Sequence, residues 1–324
     1  MAKVIKVLAI DGGGIRGIIP ALVLEEIERQ TGQPIASLFD LIAGTSAGGI
    51  LGMALTMPGE QGRPRYTAHD IIPIYEEKMK QIFSRSVWHM IKAVDNLAEV
   101  KYPTEGIESF LEEFFGDIRL KEALTDIMVT SYEIEQQRPF IFKSFKAKED
   151  PECDFLMKDV ARATSAAPTY FEPCKLEVNY TLGYRALLDG MVFASNPAMC
   201  AYVEVRKKNP GADRFLVVSL GTGEPHHRRI YDEVRRWGAL QWLQPLLDIV
   251  LYGSTVMVDY QMKTLLPPRG DFKQYYRLQC KLDIDQALMD NIETSNLRML
   301  KLLAEELIGN KKKQLELLCE QLVK

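Results

Sequence analysis

A chain of 324 residues, 47% apolar and 26% charged, has ample material for a core, which excludes disorder, collagen-like repeats and a disulfide-stapled mini-fold. Forty basic against forty-four acidic residues give a net charge of −4, which argues against a protein that binds a nucleic-acid polymer. Cys153, Cys174, Cys200, Cys280 and Cys319 are scattered with no CxxC pair, and the four histidines supply little for a metal centre. No structural metal is expected, and a reducing compartment is. The first ten residues are cut short by Asp11 before they could form a signal-peptide core. No apolar stretch reaches the length of a membrane span. The expectation is a soluble, cytoplasmic protein of one large α/β domain or two smaller ones.

In chain order, Val4 to Ile10 is an apolar run closed by Asp11 and three glycines, which predicts a buried strand. Ile18 to Arg29 predicts a helix with Ile19, Leu22, Val23 and Ile27 on one face. Pro20 is tolerated in its first turn, and Thr31-Gly32 stops it. Phe39 to Ala43 predicts a second strand ending at Gly44, followed by a small-residue helix from Ala47 to Leu55. This alternation is that of a parallel sheet covered by helices. Residues 68 to 125 read as mostly helical, for example Asp70 to Phe83 and Thr104 to Phe115. Strands are predicted at Ile127 to Ile134, Pro139 to Phe142, Tyr184 to Leu188 and Phe215 to Leu220. Three helical segments follow, around Leu240 to Leu265, Thr294 to Leu307 and Lys311 to Leu322.

Asp11-Gly12-Gly13-Gly14-Ile15-Arg16-Gly17 sits where the first strand hands over to a helix. Consecutive glycines let backbone N–H groups approach an anion closely, and the helix terminus adds its dipole. The anion could be a phosphate or a developing oxyanion. Gly12, Gly14 and Gly17 also satisfy GxGxxG, but a dinucleotide site needs an acid closing the second strand. Asp40 precedes most of that run instead.

Gly44-Thr45-Ser46-Ala47-Gly48 matches GxSxG between a strand and a helix. A nucleophile on so sharp a turn crowds positions i−2 and i+2, which is why both must be glycine. The Ser46 hydroxyl would project at the strand's end, with the Ala47 N–H as an oxyanion donor. Two bases are open to it. His226 and His227 follow in a run with Arg228 and Arg229, whose charge opposes histidine protonation. Asp189 ends the apolar run Ala186-Leu187-Leu188 beside Gly190, at the same rim as Ser46.

DGGGIRG at 11–17, GTSAGG at 44–49 and LLDGMVFASNPA at 187–198, in this order, resemble the patatin-like phospholipases. ARATSAAPTYF at 161–171 and VVSLGTG at 217–223 are similar to family segments too, so the likeness covers residues 4 to 223 closely and the rest loosely. It implies a three-layer α/β/α hydrolase with a mostly parallel sheet, a catalytic domain at 1–223 and a mainly helical extension at 224–324 packed on it. It implies that Ser46 is the nucleophile and Asp189 its only side-chain partner. Gly12, Gly13 and Gly14 would offer oxyanion N–H groups, and Arg16 would steady that loop or a lipid phosphate. Gly44, Gly48 and Gly190 would support the turns. Met191 departs from the small residue usual after Asp-Gly, which bears on loop packing or substrate shape. The implied reaction hydrolyses fatty-acyl esters of membrane phospholipids with no metal and no organic cofactor. The alternatives are a general carboxylesterase or lipase, and a nucleotide-binding sensor using the glycine loop.

Beyond residue 223 the run His226, His227, Arg228, Arg229, Arg235, Arg236 precedes Trp237, Trp242 and many aliphatics. These could form an interfacial element, with cations for phosphates and indoles for the headgroup zone. Leu246 to Leu251 reads instead as a core helix, and the basic run as either a solvated helix start or an anion-binding surface. WGALQWLQPLLD at 237–248 resembles bacterial patatin-like effectors of antiphage systems. That resemblance implies a cyclic dinucleotide activator and a homo-oligomer acting peripherally at the membrane.

Overall fold

The computed structural model describes residues 3–83, 100–178, 183–226, 229–283 and 286–324. His89, His227 and Arg228 lie outside the described residues, as does the part of the predicted helical stretch at 84–99. Strand β1 (Ile5–Ile10) feeds through the glycine loop into α1 (Ile18–Thr31), which Gly32 stops in a left-handed conformation at φ 64°. Strand β2 (Leu41–Thr45) turns directly into α2 (Ala47–Thr56). Helices α3 (Ala68–Ile82) and α4 (Glu105–Phe115) come next, α3 opened by a Thr67–Asp70 capping box. Strands β3 (Asp126–Glu133) and β4 (Arg138–Lys143) form a hairpin, and α5 (Met157–Thr164) follows. Then come β5 (Cys174–Val178), β6 (Gly183–Asp189), α6 (Ala198–Lys208) and β7 (Phe215–Leu220). The chain closes with α7 (Ala239–Leu265), β8 (Tyr275–Leu278), α8 (Thr294–Asn310) and α9 (Lys312–Val323).

These strands form one sheet in the order β5-β6-β3-β2-β1-β7-β8, with β4 on the other edge of β3, and a separate short pair joins Glu224–Pro225 to Lys281–Leu282. The stretch β3-β2-β1-β7-β8 is parallel; β4, β5 and β6 are antiparallel additions. Alternation along β1 divides the core. Leu8 and Ile10 point into the layer that contains α1, α2, α3, α4, α8 and α9, whereas Ile5, Val7 and Ala9 face α6 and the end of α7. The result is helix, sheet, helix: a three-layer α/β fold with a mostly parallel sheet. Two strands of the main sheet escaped the sequence reading, β5 and β8. Their runs, CKLEV and YYRL, are too short and too polar to stand out from their surroundings.

Register along β3 makes the functional corner. Leu41 to Thr45 of β2 pair with Asp126 to Thr130, and on the same edge Leu187 to Asp189 of β6 pair with Glu133 to Ser131. The ends of β2 and β6 therefore meet head to head beside Thr130 and Ser131. Ser46 and Asp189 are brought together by a sheet register, across 143 positions of sequence (189 − 46).

Candidate active site

Ser46 leaves β2 with φ 54° and ψ −128°, a left-handed conformation uncommon for any residue but glycine. The surroundings hold it there. Its N–H donates to Thr164 Oγ1 at 2.8 Å, and that hydroxyl donates to Thr130 O at 2.7 Å. The Thr45 hydroxyl donates to Ala194 O at 2.6 Å. A Cβ on Gly44 would meet Gly48 C at 2.5 Å, and one on Gly48 would meet Asp11 O at 2.6 Å. The i−2 and i+2 glycines are thus required by backbone on both sides of the turn.

Asp189 is fully buried. Its Oδ1 accepts the Met191 N–H at 2.8 Å, and Oδ2 is buried with no hydrogen-bond partner among the described residues. Burial pushes its pKa up to about 7, against the opposing pull of the neighbouring Ser46 hydroxyl and the Met191 N–H. The Ser46 hydroxyl is thus close enough to act on the carboxyl without making a well-directed bond to Oδ2. Such a group can change charge near neutrality.

The glycine loop lies across the corner. The Gly12 N–H donates to Ser195 O at 3.0 Å, so it is not free to bind an oxyanion as the sequence suggested. Gly12 serves instead by closeness: a Cβ there would sit 3.2 Å from Ser46 Cβ. No bond from the Gly13, Gly14 or Ala47 N–H is found among the described residues. The loop is pinned at several points. Thr222 Oγ1 donates to Gly12 O at 2.6 Å, the buried Tyr75 hydroxyl donates to Gly14 O, and the Ile15 N–H donates to Met289 O at 2.9 Å. Arg16 is 2% exposed. Its Nε donates to Gly13 O at 3.1 Å and its Nη1 to Tyr252 Oη of α7 at 2.6 Å. It steadies the loop and is too enclosed to meet a lipid phosphate.

Sequence reasoning missed the anchor of Asp11. Arg277 on β8 donates to both of its oxygens, at 2.9 and 2.6 Å, and to Ser219 Oγ at 2.8 Å. A buried acid at a strand end should have prompted a search for a cation, but more than 260 positions separate the two. Thr164 and Thr222 were missed for the same reason. The cavity beside Ser46 is lined by Ala47, Ile50, Phe83, Tyr170, Met191 and Met289 among others, and measures about 50 Å³. Neither described histidine lines it: His69 faces solvent against Glu25, 2.5 Å away. The basic run after Gly223 is partly neutralised, with Arg229 paired to Asp248 at 3.0 Å and Arg235 to Asp232 at 3.3 Å. Leu246 to Leu251 does not form the expected core helix. Leu246 and Val250 are about half exposed, because α7 packs on the protein through its other side.

A strand, a strained serine turn and a helix beside a buried carboxyl define the geometry of an α/β hydrolase corner. Residues 8–202 match the family described as patatin-like phospholipase. The chain is 33% identical over 94% of its length to "Patatin-like protein 4" of Arabidopsis thaliana, of which it covers 84%. It is also 32% identical to "Patatin-07" of Solanum tuberosum, with 86% of this chain and 77% of that one covered. The chain belongs to the patatin-like phospholipase family. Among solved structures it is similar to VipD from Legionella pneumophila, at 11% identity and a TM-score of 0.39, covering 93% of this chain and 67% of that one. No described helix is long and apolar enough to cross a membrane.

Proposed function

We propose that this chain is a lipid acyl hydrolase of phospholipase A type that works through Ser46 and Asp189 alone, within a catalytic unit at 1–223 extended by 224–324. The observation that carries the reading is the unpartnered, buried Asp189 Oδ2 beside a serine held at positive φ. Ser46 Oγ attacks the ester carbonyl carbon while its proton passes to Asp189. The carbonyl oxygen becomes an oxyanion facing the N–H groups of Gly13, Gly14 and Ala47, each well-placed donor being worth about 2.7–4 kcal/mol. Collapse breaks the ester bond, and the departing lysophospholipid alkoxide takes the proton from Asp189. Water then attacks the acyl-serine, giving one proton to Asp189. The fatty acid leaves, and that proton returns to Ser46.

Acyl release from phosphatidylcholine–phosphatidylglycerol vesicles, together with fluorophosphonate labelling, tests this. Ser46→Ala should lose both signals, and Asp189→Asn should lose acyl release by about 10²–10⁴-fold. The double variant His226→Ala/His227→Ala should stay within several-fold of wild type. Labelling of Ser46→Ala at another serine would overturn the nucleophile. A histidine-dependent rate with an active Asp189→Asn would replace the dyad by a triad.

The cavity of about 50 Å³ is far smaller than the roughly 300–1,000 Å³ of ordinary ligand pockets. It supports a resting state that must open before a long acyl chain enters. Together with the resemblance of residues 237–248, it supports the further reading that a cyclic dinucleotide switches on an oligomeric, peripherally acting antiphage effector. Purified protein should then hydrolyse vesicles slowly alone and faster with one member of a cyclic dinucleotide panel. If it is fully active alone and binds none by calorimetry, it is an unregulated lipase. Hydrolysis confined to short soluble esters in every condition would make it a general carboxylesterase.

A further inference from the structure

Helix α7 carries apolar side chains on two opposite faces. At about 100° per residue, Leu251, Thr255, Val258 and Met262 share one side, and Met262 is buried with Ala198, Ala201 and Val205 of α6. Leu246, Ile249, Val250, Val256, Met257 and Tyr260 turn the other way and are 53, 45, 51, 57, 54 and 67% exposed. No charged residue falls within this outer stripe. Asp248 and Asp259 sit on the flank, where they hold Arg229 and Lys263. A helix resting on a protein surface ordinarily puts its polar residues on the outside, and an exposed apolar patch of this kind marks a contact.

We propose that the outer face of α7 docks on a phospholipid bilayer, with the helix lying in the plane of the interface and these side chains entering the acyl layer. The partner rests on the reading of the site as a lipid acyl hydrolase; the binding does not require catalysis. Three features select lipid over a second copy of the chain. Six half-exposed side chains offer on the order of 500 Å², short of the roughly 800 Å² per partner of a stable protein–protein interface. The ends of the stripe carry headgroup chemistry: the Trp237 and Trp242 rings pack edge to face at 5.2 Å beside Arg235 and Arg236, and Lys263 lies beyond Tyr260. The flank of the same helix touches the glycine loop, since Tyr252 accepts the hydrogen bond of Arg16. A bilayer against α7 would thus lie within about one helix diameter, roughly 10 Å, of the oxyanion loop.

The test is flotation of the full chain with phosphatidylcholine–phosphatidylglycerol vesicles, read beside hydrolysis of a soluble short-chain ester. Wild type should float and should stay bound in high salt, because the stripe is uncharged. The double variant Val250→Glu/Met257→Glu should bind at least about tenfold more weakly with ester hydrolysis within twofold of wild type. Leu246→Gln/Val256→Gln should give the same split with a milder loss, which guards against a folding defect in the first pair. If wild type fails to float, or the variants float as well as wild type, the docking surface is wrong. A wild-type dimer that the variants convert to monomer, with no vesicle binding, would make the stripe a subunit interface and equally overturn the proposal. Vesicle binding that the variants abolish, in a chain that hydrolyses no ester, would keep the docking and discard the catalytic reading.

Discussion

The turn after β2 and the middle of α7 are both built from small and apolar residues, yet they stand at opposite extremes of constraint. In the turn, every atom a side chain could add meets backbone: Gly48 faces Ile10 O and Asp11 O, and Gly44 faces Gly48 and Gly49. Along α7, a Cβ added at Gly253 would meet no atom of another described element within 4 Å, and the apolar residues flanking it face outward. The first region is fixed by the fold and leaves one geometry for Ser46. The second is left unfilled by the fold, and its composition answers to something outside the chain.

Breaking the constrained side should have the largest effect. Gly48→Ala puts a methyl group 2.6 Å from Asp11 O and closer still to Ile10 O, and neither backbone atom can yield without parting β1 from the glycine loop. The expected result is a loss above about 4 kcal/mol, among the exceptional values for one substitution, with no acyl release. Denaturant unfolding measures the first and vesicle hydrolysis the second. An active, stable Gly48→Ala protein would show that the turn tolerates a different backbone.

Arg277→Met comes next. It removes the only cation bonded to Asp11 among the described hydrogen bonds and leaves a buried carboxyl whose pKa burial already raises. Breaking such a pair by removing one partner costs about 3–5 kcal/mol. The loss should be fullest at alkaline pH and should shrink as pH falls, because Asp11 then takes up a proton and ceases to be an unpaired charge. Adding Asp11→Asn should recover part of it at pH 8. A pH-independent loss would mean that Arg277 acts through packing alone.

This same pair shows what the sequence could and could not convey. The turn of Gly44, Ser46 and Gly48 is legible because its spacing answers to local backbone geometry, which a short motif records. The alternation of strand and helix through α2 is legible for the same reason. Asp189 and Gly190 stand out only through the family resemblance, because a strand-end Asp-Gly is also a common turn. Arg277, Thr164 and Thr222 act on the glycine loop and Ser46 turn from a distant strand, helix and loop, so only the folded chain reveals them. The role of Gly12 was misread because a glycine kept for close approach looks the same in sequence as one kept for a free N–H. Leu246 to Leu251 read as core because hydropathy counts apolar residues without knowing which side of a helix already has a partner.

Asp189→Asn separates function from stability at the constrained corner. The native carboxyl titrates near 7 and the unfolded one near 3.8, so between those values the native state holds a proton that the unfolded state has released. Stability of the wild type therefore falls as pH rises through this window. Asparagine cannot ionise and escapes that loss. Asp189→Asn should be more stable than wild type at pH 8 by on the order of 2–4 kcal/mol, with the difference fading toward pH 4. Wild-type ester hydrolysis should rise across the same range with a midpoint near 7, since only the ionised carboxyl can accept the Ser46 proton. Equal stabilities at pH 8, or a rate that stays flat through neutrality, would show that Asp189 is already ionised at low pH.

The smallest expected effect comes from the permissive side and has the opposite sign to the first. Gly253 lies inside α7, is exposed, and a Cβ there would meet no atom of another described element within 4 Å. Alanine at a helix interior is favoured over glycine by roughly 0.8–1 kcal/mol, because the unfolded chain loses freedom that the helix never had. Gly253→Ala should therefore raise Tm by about 2 °C with ester hydrolysis unchanged. The added methyl group extends the stripe between Val250 and Met257, so vesicle binding should hold or strengthen slightly. A destabilised Gly253→Ala protein would mean that something already occupies the space outside α7, and the contrast between a filled corner and an open helix face would fail at its open end.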